Sequence, residues 1–187
     1  MLKQFYETER LVLKTIDETK AQQVLDYYAR NKEFLRKWEP SRDETFFTLD
    51  CHRESLLRDM DSITRGDTFR LWIYKKEDTS FEKIIGTIGL SNIVRGAFLS
   101  CFLGYKLDKD EVNKGYMKEA LGKTIEIAFG ELKLHRIEAN IIPENIASRK
   151  VIEALGFYHE GVAKKYLRIN GAWEDHIHMV LRNGEME

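Results

Sequence analysis

The chain has 187 residues, 43% hydrophobic and 33% charged, enough for one domain with a full core and the balance of an ordinary soluble globular protein. Its 30 basic and 31 acidic residues leave a net charge of -1, with no cationic excess to hold a phosphate backbone, which argues against direct nucleic-acid binding. The opening Met1-Leu2-Lys3-Gln4-Phe5-Tyr6-Glu7 lacks the apolar run of a signal peptide, and no later stretch approaches the roughly 18 apolar residues of a membrane span.

Cys51 and Cys101 give no disulfide framework and suit a reducing cytoplasm. Two prolines and no Ser/Gly-rich linker leave no domain boundary, so residues 1–187 read as a single domain with its core at about 7–181. In chain order, Leu11-Val12-Leu13 reads as a first strand. Asp17 is placed to cap a helix with Ala21, Val24, Leu25 and Tyr28 on one face. A short helical piece from Phe34 to Trp38 ends at Pro40, and Leu49, Leu56, Met60 and Ile63 mark an amphipathic helix over roughly 44–65.

Phe69–Tyr74, Ile84–Ile93 and Phe98–Leu107 are β-branched or aromatic runs separated by polar turns, the pattern of an antiparallel meander. Helical spacing returns over Tyr116–Leu132, followed by a short strand, Ile137–Ile142. A helix over Asn145–Leu155 closes on Gly156, and Val162–Arg168 and Trp173–Leu181 form a hairpin about Asn170-Gly171. The order β-α-α-β-β-β-α-β-α-β-β is that of a mixed α/β domain, which alone assigns no function.

The chemically informative stretch is Leu103-Gly104-Tyr105-Lys106-Leu107, a loop, then Asn113-Lys114-Gly115-Tyr116-Met117-Lys118-Glu119-Ala120-Leu121. A glycine and unpaired backbone N–H groups at a helix start, aided by the helix dipole, make an anion site that a phosphate can approach closely. A loop glycine with no ligand fits the same residues. Neither a Walker A loop nor a G-x-G-x-x-G fingerprint occurs.

This stretch resembles the pyrophosphate-binding segment of the GNAT superfamily of N-acetyltransferases, in particular the RimJ/RimL branch of ribosomal-protein N-terminal acetyltransferases. Further segments are similar to that branch in the same order: Glu7–Leu13, then His135-Arg136-Ile137-Glu138-Ala139 with Pro143–Ser148, Leu155-Gly156-Phe157 and Glu160-Gly161, then Asn170–His176. The resemblance implies a mixed, mostly antiparallel central sheet with helices on both faces, acetyl-CoA as co-substrate, and no metal. His176 and His178 share a strand face without a third evident ligand.

Two departures stand out. The family's Q/R-x-x-G-x-G/A falls on Val112-Asn113-Lys114-Gly115-Tyr116-Met117, missing its first and last positions, and Ile152 occupies the place of a tyrosine acid found in many relatives.

By resemblance, the cofactor segment comprises Tyr105, Lys106, Leu107, Asn113, Lys114, Gly115, Tyr116, Met117, Lys118 and Glu119, with Asn145 and Ser148 beside the CoA arm. Amides around Tyr105 and Lys106 are expected to face the thioester and hold the oxyanion. Ser148 is the candidate acid for the thiolate, or else a first-turn serine chosen for the helix, and Asn145 is equally the N-cap. Glu138 is the preferred candidate base over Asp175, and either fits a surface carboxylate. Lys114, Lys118 and Arg149 are solvated side chains within reach of CoA phosphates.

Cys101 reads as core, and Trp38, Phe46 and Phe47 as packing that also fits the wall of an acceptor groove. The acceptor is expected to be a protein N-terminus, with Glu39, Asp43, Glu44, Glu54, Asp59 and Asp61 either attracting a basic polypeptide or forming an ordinary charged surface. A small amine (polyamine, aminoglycoside or amino acid) is the alternative, and a silent acyl-CoA-binding module the rival outside enzymology. Exposed strands of the terminal hairpin would permit self-association.

Overall fold

Alternate residues of one strand divide between two cores. On Phe69–Lys75 (β3), Phe69, Leu71 and Ile73 join one apolar cluster, whereas Trp72 and Tyr74 join another. A strand buried on both sides in this way sits in the middle of a covered sheet. The computed structural model describes residues 3–187, and the sheet has eight strands. The others are β1 (Phe5–Glu7), β2 (Leu11–Lys14), β4 (Gly86–Val94), β5 (Ser100–Leu107), β6 (Arg136–Ile141), β7 (Tyr158–Ile169) and β8 (Ala172–Arg182). Their spatial order is β1-β2-β3-β4-β5-β6-β8-β7, antiparallel throughout except for the parallel pair β5–β6.

Helices α1 (Ala21–Arg36) and α2 (Leu49–Arg65) cover one face over Trp72, Tyr74 and Ile84. Helices α3 (Tyr116–Glu126) and α4 (Ile146–Glu153) cover the other, with Met117, Ala120, Leu121 and Ile152 against Leu71, Cys101 and Leu103. The mixed sheet with helices on both faces is the expected fold. The one parallel pair requires a crossover, and α3 supplies it.

The structure redraws several boundaries. Instead of a break before a separate piece at 34–38, α1 runs on to Arg36, because Tyr27, Tyr28, Asn31 and Leu35 continue its buried stripe. The segment expected as one helix over 44–65 opens as a 3-10 turn at Glu44–Phe47, and Thr48 caps the α-helix that follows. The helix expected to reach Leu132 leaves α geometry after Glu126 for a π turn, with Leu132 N–H bonded to the Ile127 carbonyl at 2.9 Å. β5 begins at Ser100 and leaves Phe98 60% exposed, so the aromatic at the start of that run is outside the sheet. β7 starts at Tyr158, ahead of the expected Val162. Gly156 closes α4 in the left-handed region, and Asn170-Gly171 turn the final hairpin with φ of 49° and 88°.

Asp108, fully buried at the end of β5, ties α1 to this edge by accepting the Arg30 Nε–H at 2.6 Å. Burial alone would raise its carboxyl, but hydrogen bonds from the Asp110 amide, Arg30 and Asn31 outweigh it and hold the group below its ordinary value. Replacing Asp108 with alanine strands a half-buried guanidinium, and should cost about 2–4 kcal/mol in denaturant unfolding at pH 7. A depressed carboxylate stabilises the fold above its unfolded pKa of about 3.9 and ceases to do so as pH falls through the folded value, so the gap between wild type and Asp108→Ala should close in acid.

Candidate active site

The parallel β5–β6 pairing is short. It joins Ser100 to Arg136, Cys101 to Ile137 and Phe102 to Glu138, and then stops. Beyond that point Leu103–Leu107 stay paired with β4, and Ala139–Ile141 stay paired with β8. The two strands therefore part and leave a wedge in the middle of the sheet. Asn140, on β6 past the last pair, keeps a buried Oδ1 without a partner among the described residues. A buried acceptor with no donor is costly, and this one borders the wedge.

At the mouth of the wedge α3 begins on Gly115, whose φ is +81°, two residues after Asn113 at +62°. No side chain caps the helix, and its first backbone bond is from the Glu119 N–H to the Gly115 carbonyl at 3.1 Å. The amides of Tyr116, Met117 and Lys118 thus point outward without protein acceptors, an arrangement suited to an anion.

The surrounding side chains sort the segment expected to bind cofactor. The Glu119 carboxylate is engaged by the Thr8 hydroxyl, the Arg10 amide at 2.8 Å and the Arg10 guanidinium at 2.7 Å. Burial would raise its carboxyl, and these bonds hold it low instead. Glu119 is therefore a brace for the loop rather than a cofactor contact, since a fixed carboxylate facing a phosphate would repel it. Lys114 is bound back to Glu111 at 2.9 Å, and Met117 is buried in the core, so each offers the loop backbone only. Tyr116 lies under the Arg10 guanidinium, 4.7 Å from the ring centre. Lys118 is exposed and forms no ion pair among the described residues, while Arg149 pairs loosely with Glu153.

On the face covered by α3 and α4, Tyr105 reaches across the wedge. Its hydroxyl lies 2.6 Å from Ser148 Oγ and donates to the Ser148 carbonyl at 3.0 Å. In the shorter contact either oxygen can be the donor, so the two hydroxyls form one chain. Burial pushes the Tyr105 phenol up to about 12, which the bond to Ser148 only partly offsets. Asn145 caps α4, its Oδ1 accepting the Ser148 N–H at 3.2 Å. Leu107 contributes to β4 pairing opposite Gly86.

The opposite face carries Lys106, Glu138, Asn140 and His178, by the pairing of Thr87 with Lys106 and of Asn140 with His178. Lys106 Nζ lies 2.7 Å from Glu39, beside Tyr28. Glu39 and Tyr28 belong to a pocket of about 350 Å³ with Leu35, Pro40, Phe46 and Phe47 at the α1–α2 connection. Phe46 packs edge-on to Tyr28 at 5.0 Å. Of the aromatic cluster, Phe46 and Phe47 do line a groove, and Trp38 lies outside it under Lys37.

The carboxylates proposed as bases are both engaged. Glu138 accepts from Arg136 at 2.8 Å and pairs with His178 Nδ1 at 2.7 Å. Desolvation raises its carboxyl, but these partners more than reverse it, so it stands below its ordinary value. Asp175 binds Lys164 at 2.7 Å and the Lys165 amide at 2.9 Å, which pins the β7 bulge where Lys165 takes a φ of 49°. Lys164 chiefly holds its carboxyl low, and the structure makes Asp175 a brace of the hairpin, not a base.

The acidic residues expected to attract a basic polypeptide are largely neutralised. Glu39, Glu44, Glu54, Asp59 and Asp61 each have a cationic partner within 3.5 Å, and Asp43 caps the Phe46 amide. Cys101 is buried in the core, its thiol pushed up to about 12 by burial. The Lys106–Glu39 contact, the Tyr28 wall and the Glu138–His178 pair were not legible in sequence. Strand alternation places each on a face but names no partner.

A sheet opened at its one parallel pair, with an uncapped glycine-started helix at the mouth and a pocket on the far face, is the architecture of an acyltransferase domain. Residues 10–158 match the family described as acetyltransferase (GNAT) domain. The chain belongs to that family of N-acetyltransferases. It is 37% identical over 170 residues to the [ribosomal protein uS5]-alanine N-acetyltransferase of Escherichia coli, covering 91% of this chain and 86% of that one. The crystal structure of the ribosomal-protein-S5-alanine acetyltransferase from Vibrio fischeri superposes with a TM-score of 0.91 at 39% identity, covering 98% of both chains. Mycobacterium smegmatis RimJ, solved with CoA-disulfide, gives 0.87 at 25% identity, covering 94% of this chain and 83% of that one.

Proposed function

We propose that this chain, acting as a single catalytic domain in the cytoplasm, transfers the acetyl group of acetyl-CoA to the N-terminal amine of a ribosomal protein. The observation that carries the reading is the wedge between β5 and β6, with the Tyr105–Ser148 chain on one face and the Lys106–Glu39 pocket on the other. Two relatives that cover nearly the whole chain are named for the alanine of ribosomal protein S5, which supports an N-terminal alanine as acceptor. No helix among the described residues is long and apolar enough to cross a membrane.

Bound acetyl-CoA supplies the acetyl group as a thioester. The free amides of Tyr116, Met117 and Lys118, with the Lys118 side chain, suit its pyrophosphate. The unpartnered Asn140 Oδ1, on the pocket face, suits an N–H of the acceptor. Strand amides of β5 around Tyr105 and Lys106, released from β6, can stabilise the oxyanion, and Ser148 backed by Tyr105 can protonate the departing sulfur. The amine then enters from the pocket face and adds to the thioester carbonyl, the two reactants held together by the opposite sides of the wedge.

The test is thiol release from acetyl-CoA with three acceptors: a peptide with the N-terminal sequence of S5, the same peptide already acetylated, and spermidine. Turnover confined to the free peptide is expected, with the mass gain on its first residue. Preferential use of spermidine would transfer the reading to small amines, and CoA binding without turnover of any acceptor would identify a silent module.

A further inference from the structure

We infer that the proton acceptor of the reaction is His178, through its Nε2, and that Glu138 positions it. The inference rests on the acetyl-transfer reading and deepens it. His178 Nδ1 meets Glu138 Oε1 at 2.7 Å, which leaves Nε2 with no hydrogen-bond partner among the described residues. Behind the pair, Arg136 bridges Glu138 and Glu160, so the carboxylate has both oxygens engaged and is fixed in place. The Tyr166 ring packs against the imidazole at 5.1 Å and 68°, and limits its rotation.

Register gives the location. His178 stands directly across from Asn140, which lies past the point where β5 and β6 separate. It shares a face with Lys106, whose ion pair with Glu39 leads into the acceptor pocket. The imidazole is thus one strand from the wedge on the side from which an amine approaches, while Ser148 and Tyr105 lie on the side toward which sulfur departs.

The chemistry favours the imidazole over its partner. Glu138 is held below the ordinary carboxylate range by its two cationic neighbours, which makes it a poor acceptor for an ammonium proton. An imidazole is a general base suited to neutral pH, and a carboxylate on its far nitrogen fixes the tautomer that leaves the Nε2 lone pair free. The step balances as follows. Nε2 takes one proton from the acceptor ammonium, and the freed lone pair attacks the carbonyl carbon. The C–S bond then breaks and the sulfur takes a proton from Ser148, Ser148 takes one from Tyr105, and Tyr105 is reprotonated from solvent. The amide nitrogen gives its surplus proton to solvent, and the His178 imidazolium sheds its proton there before the next turnover.

Groups facing His178 are Glu138 and Arg136 from β6, Glu160 and Tyr166 from β7 and His176 on its own strand. Profiles of kcat/KM against pH for the alanine-first peptide should therefore separate the two roles in wild type, His178→Gln and Glu138→Gln. H178Q should lose about 100-fold at pH 7, with the acid limb gone and the deficit shrinking toward pH 9 as solvent deprotonates the amine. E138Q should lose less than H178Q and keep an acid limb, because the imidazole remains while the carboxylate that orients it is gone.

The affinity of both variants for CoA should match wild type within twofold. H178Q within threefold of wild type at pH 7, or E138Q losing more than H178Q, would overturn the assignment. His178→Asn carries the same comparison should H178Q fail to melt cooperatively. An NMR spectrum of the His178 ring gives a readout independent of turnover: the neutral wild-type ring should carry its proton on Nδ1, and an Nε2-protonated tautomer refutes the pairing. Wild-type enzyme inactive on every amine sinks the transfer reading and this inference together, whereas full activity in both wild type and H178Q sinks the inference alone.

Discussion

Replacing Gly115 with valine is expected to weaken CoA binding by about 100-fold, the equivalent of losing one or two hydrogen bonds to a charged phosphate. Gly115 takes a φ of +81°, where a β-branched residue is strained, and it starts α3 with no side-chain cap. A Cβ there would stand 3.3 Å from Arg10 Nη2. That guanidinium cannot retreat freely, because it is held by Glu119 at 2.7 Å and by the Lys114 carbonyl at 3.0 Å. Valine therefore either pulls the loop out of its left-handed turn or pushes the brace aside, and both move the amides of Tyr116, Met117 and Lys118.

Strain of this kind also costs the fold about 1–3 kcal/mol. Calorimetric titration with CoA, beside a thermal melt, separates the two effects. A lowered Tm with unchanged CoA affinity would show that these amides do not hold the phosphates. Gly115→Ala, strained but smaller, should fall between valine and wild type.

That loop was readable in sequence because its signals are local. A glycine before an apolar stripe of period 3.6 sets a helix start, Gly156 sets a helix end, and Asn170-Gly171 sets a hairpin. What could not be read is carried by contacts between distant residues. The β5–β6 pairing ends at Phe102 and Glu138 although β4 and β8 keep the next residues, and no pattern within either strand announces it. Glu119 belongs by sequence to the phosphate segment, but in the fold Arg10, 109 residues away, engages it. Glu138 likewise reads as a free base by sequence, but its partner His178 lies 40 residues on. Charge is visible in a sequence, but its neutralisation is a property of the fold. The resemblance supplied the order of the parts, and the side-chain geometry redistributed the roles among them.

The departing sulfur provides the second large effect. Ser148→Ala and Tyr105→Phe should each lower kcat by about 10–100-fold, the lower end of general-acid contributions, because a thiolate with a pKa near 8.5 is already a fair leaving group. The KM for the peptide should change little, since both groups lie on the face opposite the pocket. Tyr105 is held up to about 12, so the chain stays protonated through the working range and should add no alkaline limb below pH 10.

The double variant discriminates a shared role from two separate ones. Ser148 Oγ and Tyr105 Oη are 2.6 Å apart, and the serine proton is replenished through the phenol, so either substitution breaks one chain. The double loss should therefore be close to the larger single loss rather than the product of the two, a coupling of about 1.5–3 kcal/mol for neighbours acting as a unit. Full multiplicativity would mean that the hydroxyls act independently, and unchanged kcat with a lowered Tm would reduce the pair to a strut between β5 and α4. A more activated leaving group decides what remains: if the chain protonates sulfur, a thioester whose thiol has a lower pKa should recover most of the rate lost in Ser148→Ala, while leaving the deficit of His178→Gln in place.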